Sequence, residues 1–416
     1  MTGHLKINKK RLLADIEALS KIGGTADGGV HRPALSDADL EARRWFRTKA
    51  EAVKLTVTQD GIGNLSAIWP SATPGARTVM FGSHLDTVPH GGRFDGALGV
   101  VAALEVLRTI QEARLSLPCH LEAISFTDEE GTATGNGLVG SRGLAGLLDE
   151  EDLQHPRHEE QAGFEARLAA TGITIPGALA ARRKPQTLKA WIEVHVEQGP
   201  RLDDLGIPIG VVTGIAGIYT YWLTFRGRAD HSGTIPLDQR RDALQGAALF
   251  VRRSRELVGN YFEGGVMNCG MIDVSPGAFN IVPEVAHLAI EVRHANSEKL
   301  GLMCEAILNL AQEVAREEGL ELEVAPLDDH QPAQMHPEII AAIEDACELL
   351  DLPYKRMSSY AGHDTQIVAT ITRAGMFFVP SVGGISHSPH ELTHAEDCIN
   401  AGNLLLHTVL KLTESG

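Results

Sequence analysis

Histidines and carboxylates cluster at four places in this 416-residue chain where an apolar run stops. The first is Gly82-Ser83-His84-Leu85-Asp86, followed by a glycine-rich stretch carrying Asp95. An imidazole that closes an apolar strand projects from the carboxyl edge of the sheet, where α/β proteins bind ligands. Asp86, two residues on, is expected to hold that ring through its second nitrogen. Asp95 sits where a loop can bend its carboxylate back towards His84. On its own, H-x-D fits a structural ion pair equally well. The second place is Asp128-Glu129-Glu130, after HLEAISF. Three adjacent carboxylates repel one another unless cations collect them. A solvated acidic turn is one reading; the other is a metal site in which one glutamate ligates and its neighbour stays free to move a proton. The third place is Glu193-Val194-His195-Val196-Glu197, whose alternation puts Glu193, His195 and Glu197 on one face of a strand. The fourth is His387, just past MFFVPS, with His390 expected at the surface.

Imidazole and carboxylate donors without thiolate suit Zn²⁺, Mn²⁺, Co²⁺ or Ni²⁺ better than Ca²⁺ or Mg²⁺. Two such ions sharing one carboxylate is the economical arrangement, and ion pairs of this kind act in hydrolysis. The chain has no G-x-S-x-G, which disfavours a serine hydrolase. It has no GxxxxGK[ST] or strand-linked GxGxxG, so nucleotide binding has no support.

The elements that must position these residues alternate in type. Residues 8–22 place Leu12, Leu13, Ile16, Leu19 and Ile22 on one helical face, and Ser36 opens a second helix with Asp39 in the capping-box position. Strand patterns at 55–58, 65–69, 78–82 and 120–126 flank a helical stretch at 96–113. An α/β fold with a doubly wound, mostly parallel central sheet is expected. Residues 147–187 read as solvated surface helices, including the acidic stretch HEEQAGFEARL. Residues 213–328 follow a βαββαβ order, with helices at 238–256 and 297–317, the latter opened by Ser297. That order is the split-βαβ, ferredoxin-like arrangement, so this stretch is expected to be an inserted domain. Residues 1–212 and 329–416 would close the first domain around it. In the inserted domain, IYTYWLTF reads as an edge strand whose aromatics could form a dimer surface or equally be buried within their own domain.

Charge and composition narrow the partners. The formal charge of −17 opposes binding to phosphate backbones or anionic membranes. The longest apolar stretch, Gly96 to Leu107, is too short to span a membrane and contains Glu105. The N-terminus shows no apolar signal core. Five scattered cysteines with no C-x-x-C read as reduced thiols, and a cytoplasmic location is expected.

Taken together, GSHLDTVPHGGRFDGALGV, FTDEEG, HVEQGP, GRADHSGTIPLDQRRDAL, PGAFNIVP, YAGHD and PSVGGISHSPHELT resemble the hydantoinase/carbamoylase family of amidases. That family belongs to the aminoacylase and carboxypeptidase clan of dinuclear metallohydrolases, and the motifs occur here in family order. The resemblance implies a metallopeptidase-like catalytic domain with a ferredoxin-like lid and dimerisation insert. It implies two divalent ions per subunit, held by His84, Asp95, Glu130, His195 and His387. Asp95 would bridge them, with His84 and His195 on one ion and Glu130 and His387 on the other. Glu129 would be the general base. Gln198, His231, Asn280, Arg293 and Gly362 match substrate-contact positions, and His231 would act on the partner's substrate in a homodimer. The clan's peptidases usually carry a carboxylate where His195 stands, which points to the amidase branch. The implied substrate is an N-carbamoyl amino acid or a related ureido acid such as allantoate or N-carbamoyl-β-alanine. An aminoacylase, a dipeptidase and a metal-stabilised binding protein without catalysis remain the rival expectations.

Overall fold

A computed structural model describes residues 4–154 and 161–414. Of the expected acidic stretch HEEQAGFEARL, His158, Glu159 and Glu160 lie outside the described residues. The chain divides into two compact units. One comprises Met1–Thr213, Gln334–Met357 and Gly362–Gly416; the other comprises Gly214–Ala333 and Ser358–Ala361.

The first six strands are β1 (Thr56–Gln59), β2 (Leu65–Trp69), β3 (Thr78–His84), β4 (His120–Phe126), β5 (Leu188–Val196) and β6 (Ile209–Ile215). Four more, β7 (Gly217–Arg226), β8 (Val266–Ser275), β9 (Val285–His294) and β10 (Glu321–His330), make a separate sheet. The chain returns through β11 (Ala333–Gln334), β12 (Tyr354–Ser359) and β13 (Ala374–Val379).

The larger sheet runs β1-β2-β4-β3-β5-β13-β6-β11, with β12 beside β6. Its centre, β4-β3-β5-β13, is parallel, and antiparallel pairs flank it. Alternation along the central strands feeds two cores. Val79, Phe81, Ile192 and Val194 join a large apolar cluster with the helices Lys9–Ser20, Ala97–Glu112, Pro337–Leu349 and Ala395–Glu414. Met80, Ile124, Phe126 and Trp191 face a second cluster on the other side of the sheet. The apolar stretch after Gly96 is therefore a core helix, and its Glu105 is buried against Arg11 at 2.6 Å. No helix among the described residues is long and apolar enough to cross a membrane.

The stretch expected as solvated helices differs from that reading. Leu153, Phe164, Leu168, Ile173 and Ala178 form an apolar cluster with Ala34, Leu35 and Ile62. Their spacing gives a narrow buried stripe under a charged face, and the charges dominated the composition.

The smaller sheet has the order β10-β7-β9-β8 and is antiparallel throughout. Helices Ala243–Tyr261 and Ser297–Glu317 complete the expected βαββαβ order. Two details are corrected. IYTYWLTF lies in β7, which is paired on both sides and is not an edge; strand order is set by non-local pairing that a local pattern does not reveal. The open edges are β8 and β10, and β8 exposes Val266, Met271 and Ile272. The helix at 297 is capped by Asn296, which accepts from Lys299 N at 2.9 Å, one residue earlier than expected.

Candidate metal centre

Parallel pairing brings the chemistry to one edge of the larger sheet. His84 ends β3 opposite Phe126, the last residue of β4, so Asp128-Glu129-Glu130 follows beside it. His195 lies near the end of β5 and pairs with Phe378 of β13, after which the chain continues to His387. Four strand ends therefore deliver their polar residues to the same side.

Ligand atoms converge in three groups, each within 4.8 Å: His84/Asp95/His195, His84/Glu129/Glu130 and Asp95/Glu130/His387. Asp95 belongs to two of them, one oxygen to each. Its Oδ1 lies 3.1 Å from His195 Nε2 and 3.5 Å from His84 Nε2, while Oδ2 lies 3.5 Å from His387 Nε2. Glu130 Oε2 is 3.6 Å from His387 Nε2, and its buried Oε1 has no hydrogen-bond partner among the described residues. Glu129 Oε2 is 3.7 Å from His84 Nε2. His387 is about half exposed, His390 lies at the surface, and the other grouped residues are buried or nearly so.

Hydrogen bonds fix which ring nitrogens face the centre. His84 Nδ1 meets the Asp86 carbonyl at 3.0 Å, and His195 Nδ1 meets the Val196 carbonyl at 2.9 Å. A carbonyl can only accept, so each Nδ1 carries a hydrogen and each ring turns its Nε2 inward, where a lone pair is free once that nitrogen gives up any proton. Gly96 is required here: its φ is +60°, and a Cβ would lie 2.4 Å from the His84 ring.

The electrostatics describe a buried, acid-rich pocket. Burial pushes Glu129 well above the usual carboxylate range, assisted by Glu130, Asp364 and Asp86 and opposed by His84. Glu130 is raised in the same sense by burial and Asp95. Burial disfavours charge on His84, yet Glu129, Asp95 and Asp86 outweigh it and raise the ring well above its ordinary value. Burial also opposes the Asp95 charge, but His195 and His84 hold its carboxyl well below the usual range. Such a cluster retains protons that divalent cations would displace. The donor set, its convergence and the orphaned Glu130 oxygen fit two divalent ions.

Two expectations about supporting residues are corrected. Asp86 holds His84 through its carbonyl, not its carboxylate, which lies 3.8 Å from the ring. The strand ends at His84, so alternation no longer applies; the carboxylate instead accepts from Glu129 N at 3.4 Å and Glu130 N at 3.2 Å, bracing the acidic turn. Glu197 lies past the end of β5 and accepts from Arg201 N and Leu202 N at the start of helix Arg201–Leu205. Glu193 is buried and bonds Ser83 and Thr365.

The remaining site residues divide between the units. Gln198 donates to Asp95 Oδ2 at 2.8 Å and meets His387 Nε2 at 3.1 Å, so it belongs to the centre. Gly362, half-buried, precedes His363, whose ring stands edge-on to His195 at 4.6 Å between centroids. In the other unit, His231 and Asn280 are exposed; His231 bridges to Ile281 and accepts from Gly233 N. Arg293 engages Glu291 with two nitrogens at 2.7 and 3.0 Å and donates to the Tyr360 carbonyl.

Sequence reasoning assigned no role to His363, Asp364, Ser386 or Glu391. YAGHD and the segment after His387 were visible, but the contacts of their members depend on tertiary placement. Glu391 is buried and receives the Phe94 and Asp95 backbone N–H groups.

The larger sheet, its helices on both faces and the metal-competent edge define a metallopeptidase-like α/β hydrolase with an inserted antiparallel domain. Residues 80–411 match Peptidase family M20/M25/M40. The chain is 35% identical over 407 residues to the N-carbamoyl-L-amino-acid amidohydrolase of Pseudomonas sp. (strain NS671), covering 97% of this chain and 98% of that relative. It is 31% identical over 382 residues to the allantoate amidohydrolase of Escherichia coli (strain K12), covering 91% of this chain and 92% of that relative. A crystal structure of a hydantoinase/carbamoylase family amidase from Burkholderia multivorans superposes with a TM-score of 0.91 at 32% identity, covering 99% of both chains. The chain belongs to Peptidase family M20/M25/M40, among its hydantoinase/carbamoylase amidases, and is an amide-hydrolysing enzyme.

Proposed function

We propose that this enzyme hydrolyses the carbamoyl C–N bond of N-carbamoyl amino acids, giving the amino acid, CO₂ and NH₃. The observation that carries the reading is Asp95, which gives one oxygen to each of two histidine-bearing groups, with Glu129 beside them. His84, His195 and Asp95 would hold one divalent ion, and Asp95, Glu130 and His387 the other, with Zn²⁺, Mn²⁺, Co²⁺ or Ni²⁺ as candidates. Bound there, the ions would supply Lewis acidity to a ureido carbonyl that both its nitrogens deactivate.

Glu129 takes a proton from the attacking water and delivers it to the leaving nitrogen. Its buried, proton-retaining environment suits a group that must both accept and return that proton. Arg293 and Asn280 hold the substrate carboxylate. Glu291 and Tyr360 engage three of the guanidinium's five N–H donors, and the carboxylate takes the other two. Gln198 and Gly362 contact the ureido end, and Asp86 keeps the turn that carries Glu129. The free thiols support a cytoplasmic location. A homodimer is proposed through the inserted unit, with His231 donating a hydrogen bond to the partner's substrate as charge develops on its oxygen. The exposed apolar residues of β8 make it a better candidate surface than β7.

Allantoate is the second reading, supported by the resemblance to a bacterial allantoate amidohydrolase. Ammonia release from N-carbamoyl-L-amino acids, N-carbamoyl-β-alanine, allantoate and acylated amino acids separates the readings. Fastest release from an N-carbamoyl-L-amino acid is expected; turnover confined to allantoate or acylated substrates overturns the assignment.

A further inference from the structure

We propose that Glu391 is a positioning residue that sets the Asp95 carboxylate between the two ligand groups. The inference rests on the metal reading above and adds a residue that contacts neither substrate nor ion. Glu391 belongs to the loop that carries His387, and this loop is closed at its neck by Val382 N donating to the Leu392 carbonyl at 2.8 Å. Within the loop, Glu391 N donates to the Ser388 carbonyl and turns the side chain inward. Its Oε1 accepts from Phe94 N at 2.8 Å and Asp95 N at 3.1 Å. Its Oε2 lies 2.8 Å from Ser386 Oγ, which is itself 3.0 Å from Asp95 Oδ2.

One carboxylate thus grips the backbone of Asp95 and, through Ser386, touches its side chain. The approach is so close that a Cβ on Gly92 would lie 2.1 Å from the Glu391 carboxylate. Glu391 is 3% exposed, and burying a carboxylate beside Asp95 costs stability unless its hydrogen bonds serve something. Those bonds join the loop bearing Asp95 to the loop bearing His387, which are neighbours in space and remote in sequence. The bridge geometry is therefore set by Glu391, not by Asp95 alone.

The alternative role for a buried glutamate here is added negative charge that attracts cations. Glutamine separates the two. Its carbonyl oxygen can accept both backbone N–H groups, and its NH₂ can donate to Ser386 Oγ, leaving the hydroxyl hydrogen for Asp95. Positioning predicts that Glu391→Gln works and Glu391→Ala does not; charge attraction predicts that both fail.

The experiment is equilibrium dialysis of the full-length, chelator-stripped protein against buffered Zn²⁺, with ions per chain counted by elemental analysis and the metal-free fold monitored by thermal melting. Glu391→Ala should bind Zn²⁺ about 10–100-fold more weakly, the loss typical when the support of a metal ligand is removed. Glu391→Gln should stay within about threefold of the parent, since it preserves the supporting hydrogen bonds. Ser386→Ala, which leaves both backbone bonds intact, should weaken binding by about tenfold and replaces Glu391→Ala if that variant does not fold. Parent-like binding in Glu391→Ala or Ser386→Ala overturns the inference, as does a Glu391→Gln loss equal to that of alanine. A parent that binds no Zn²⁺ overturns the metal centre itself, a result distinguishable from failure of the variants.

Discussion

The two compact units treat their polar residues in opposite ways. At the edge of the larger sheet, His84, Asp95, Glu129 and His195 are buried, and main-chain groups orient both rings before any ligand arrives. In the antiparallel unit, His231 and Asn280 are exposed, and Arg293 keeps part of its guanidinium uncommitted. Buried charges demand partners, and the first set finds them in one another and in the main chain. Exposed groups stay solvated, and on the proposed reading a substrate would supply their partner. On that reading, the first arrangement would serve bond breaking and the second recognition.

The largest expected effect separates chemistry from ion binding within the buried set. Glu129→Gln should keep both ions and near-parent substrate affinity while kcat falls about 10²–10⁴-fold, the usual range for a general base. Asp95→Asn should instead lose ions from both positions. Ordinary turnover by Glu129→Gln in single-turnover assays would remove Glu129 from its assigned role.

Next comes recognition. Arg293→Ala should retain its ions but lose about 2–5 kcal/mol in kcat/KM if the ion pair with substrate is desolvated. The variant should be indifferent to amidation of the substrate carboxylate, whereas the parent should not. Equal sensitivity of both proteins to amidation would contradict the pairing.

A smaller recovery is expected from complementation. Mixing His231→Ala with Glu129→Gln under subunit exchange should regain roughly a quarter of parent activity, because half the dimers are mixed and each has one intact site. No gain despite demonstrated exchange would show that His231 does not act in trans.

The smallest effect tests burial away from the centre. Burial raises Asp60 from 3.8 to about 6, against hydrogen bonds from Asn64 and Ile62. The folded state therefore holds this proton more tightly than the unfolded chain. The resulting stability is fully present below about pH 4 and is lost as pH rises through about 6, up to roughly 3 kcal/mol. Asp60→Asn should flatten that part of the pH dependence in melts of metal-free protein, and an unchanged slope would contradict the assignment.

Much of this arrangement was legible in the sequence. Apolar runs ending in histidine or acid marked the strand ends, and the βαββαβ order of the inserted unit was visible as a pattern. The failures have a common physical origin. Asp86 and Glu197 were read by strand alternation beyond the points where β3 and β5 stop. β7 read as an edge because strand order depends on pairing between distant segments. Glu391 lies almost 300 positions from the backbone groups it holds, so no local spacing could reveal its contacts.

Dependence of ureido hydrolysis on two ions is measured by following ion content and ammonia release together in one preparation. Chelated protein is titrated with Mn²⁺ or Co²⁺ in the presence of an N-carbamoyl-L-amino acid. The stripped protein should show no turnover, and activity should rise to its limit as occupancy reaches two ions per chain. Full turnover under chelation, or two bound ions with no ammonia from any ureido acid, would contradict that dependence.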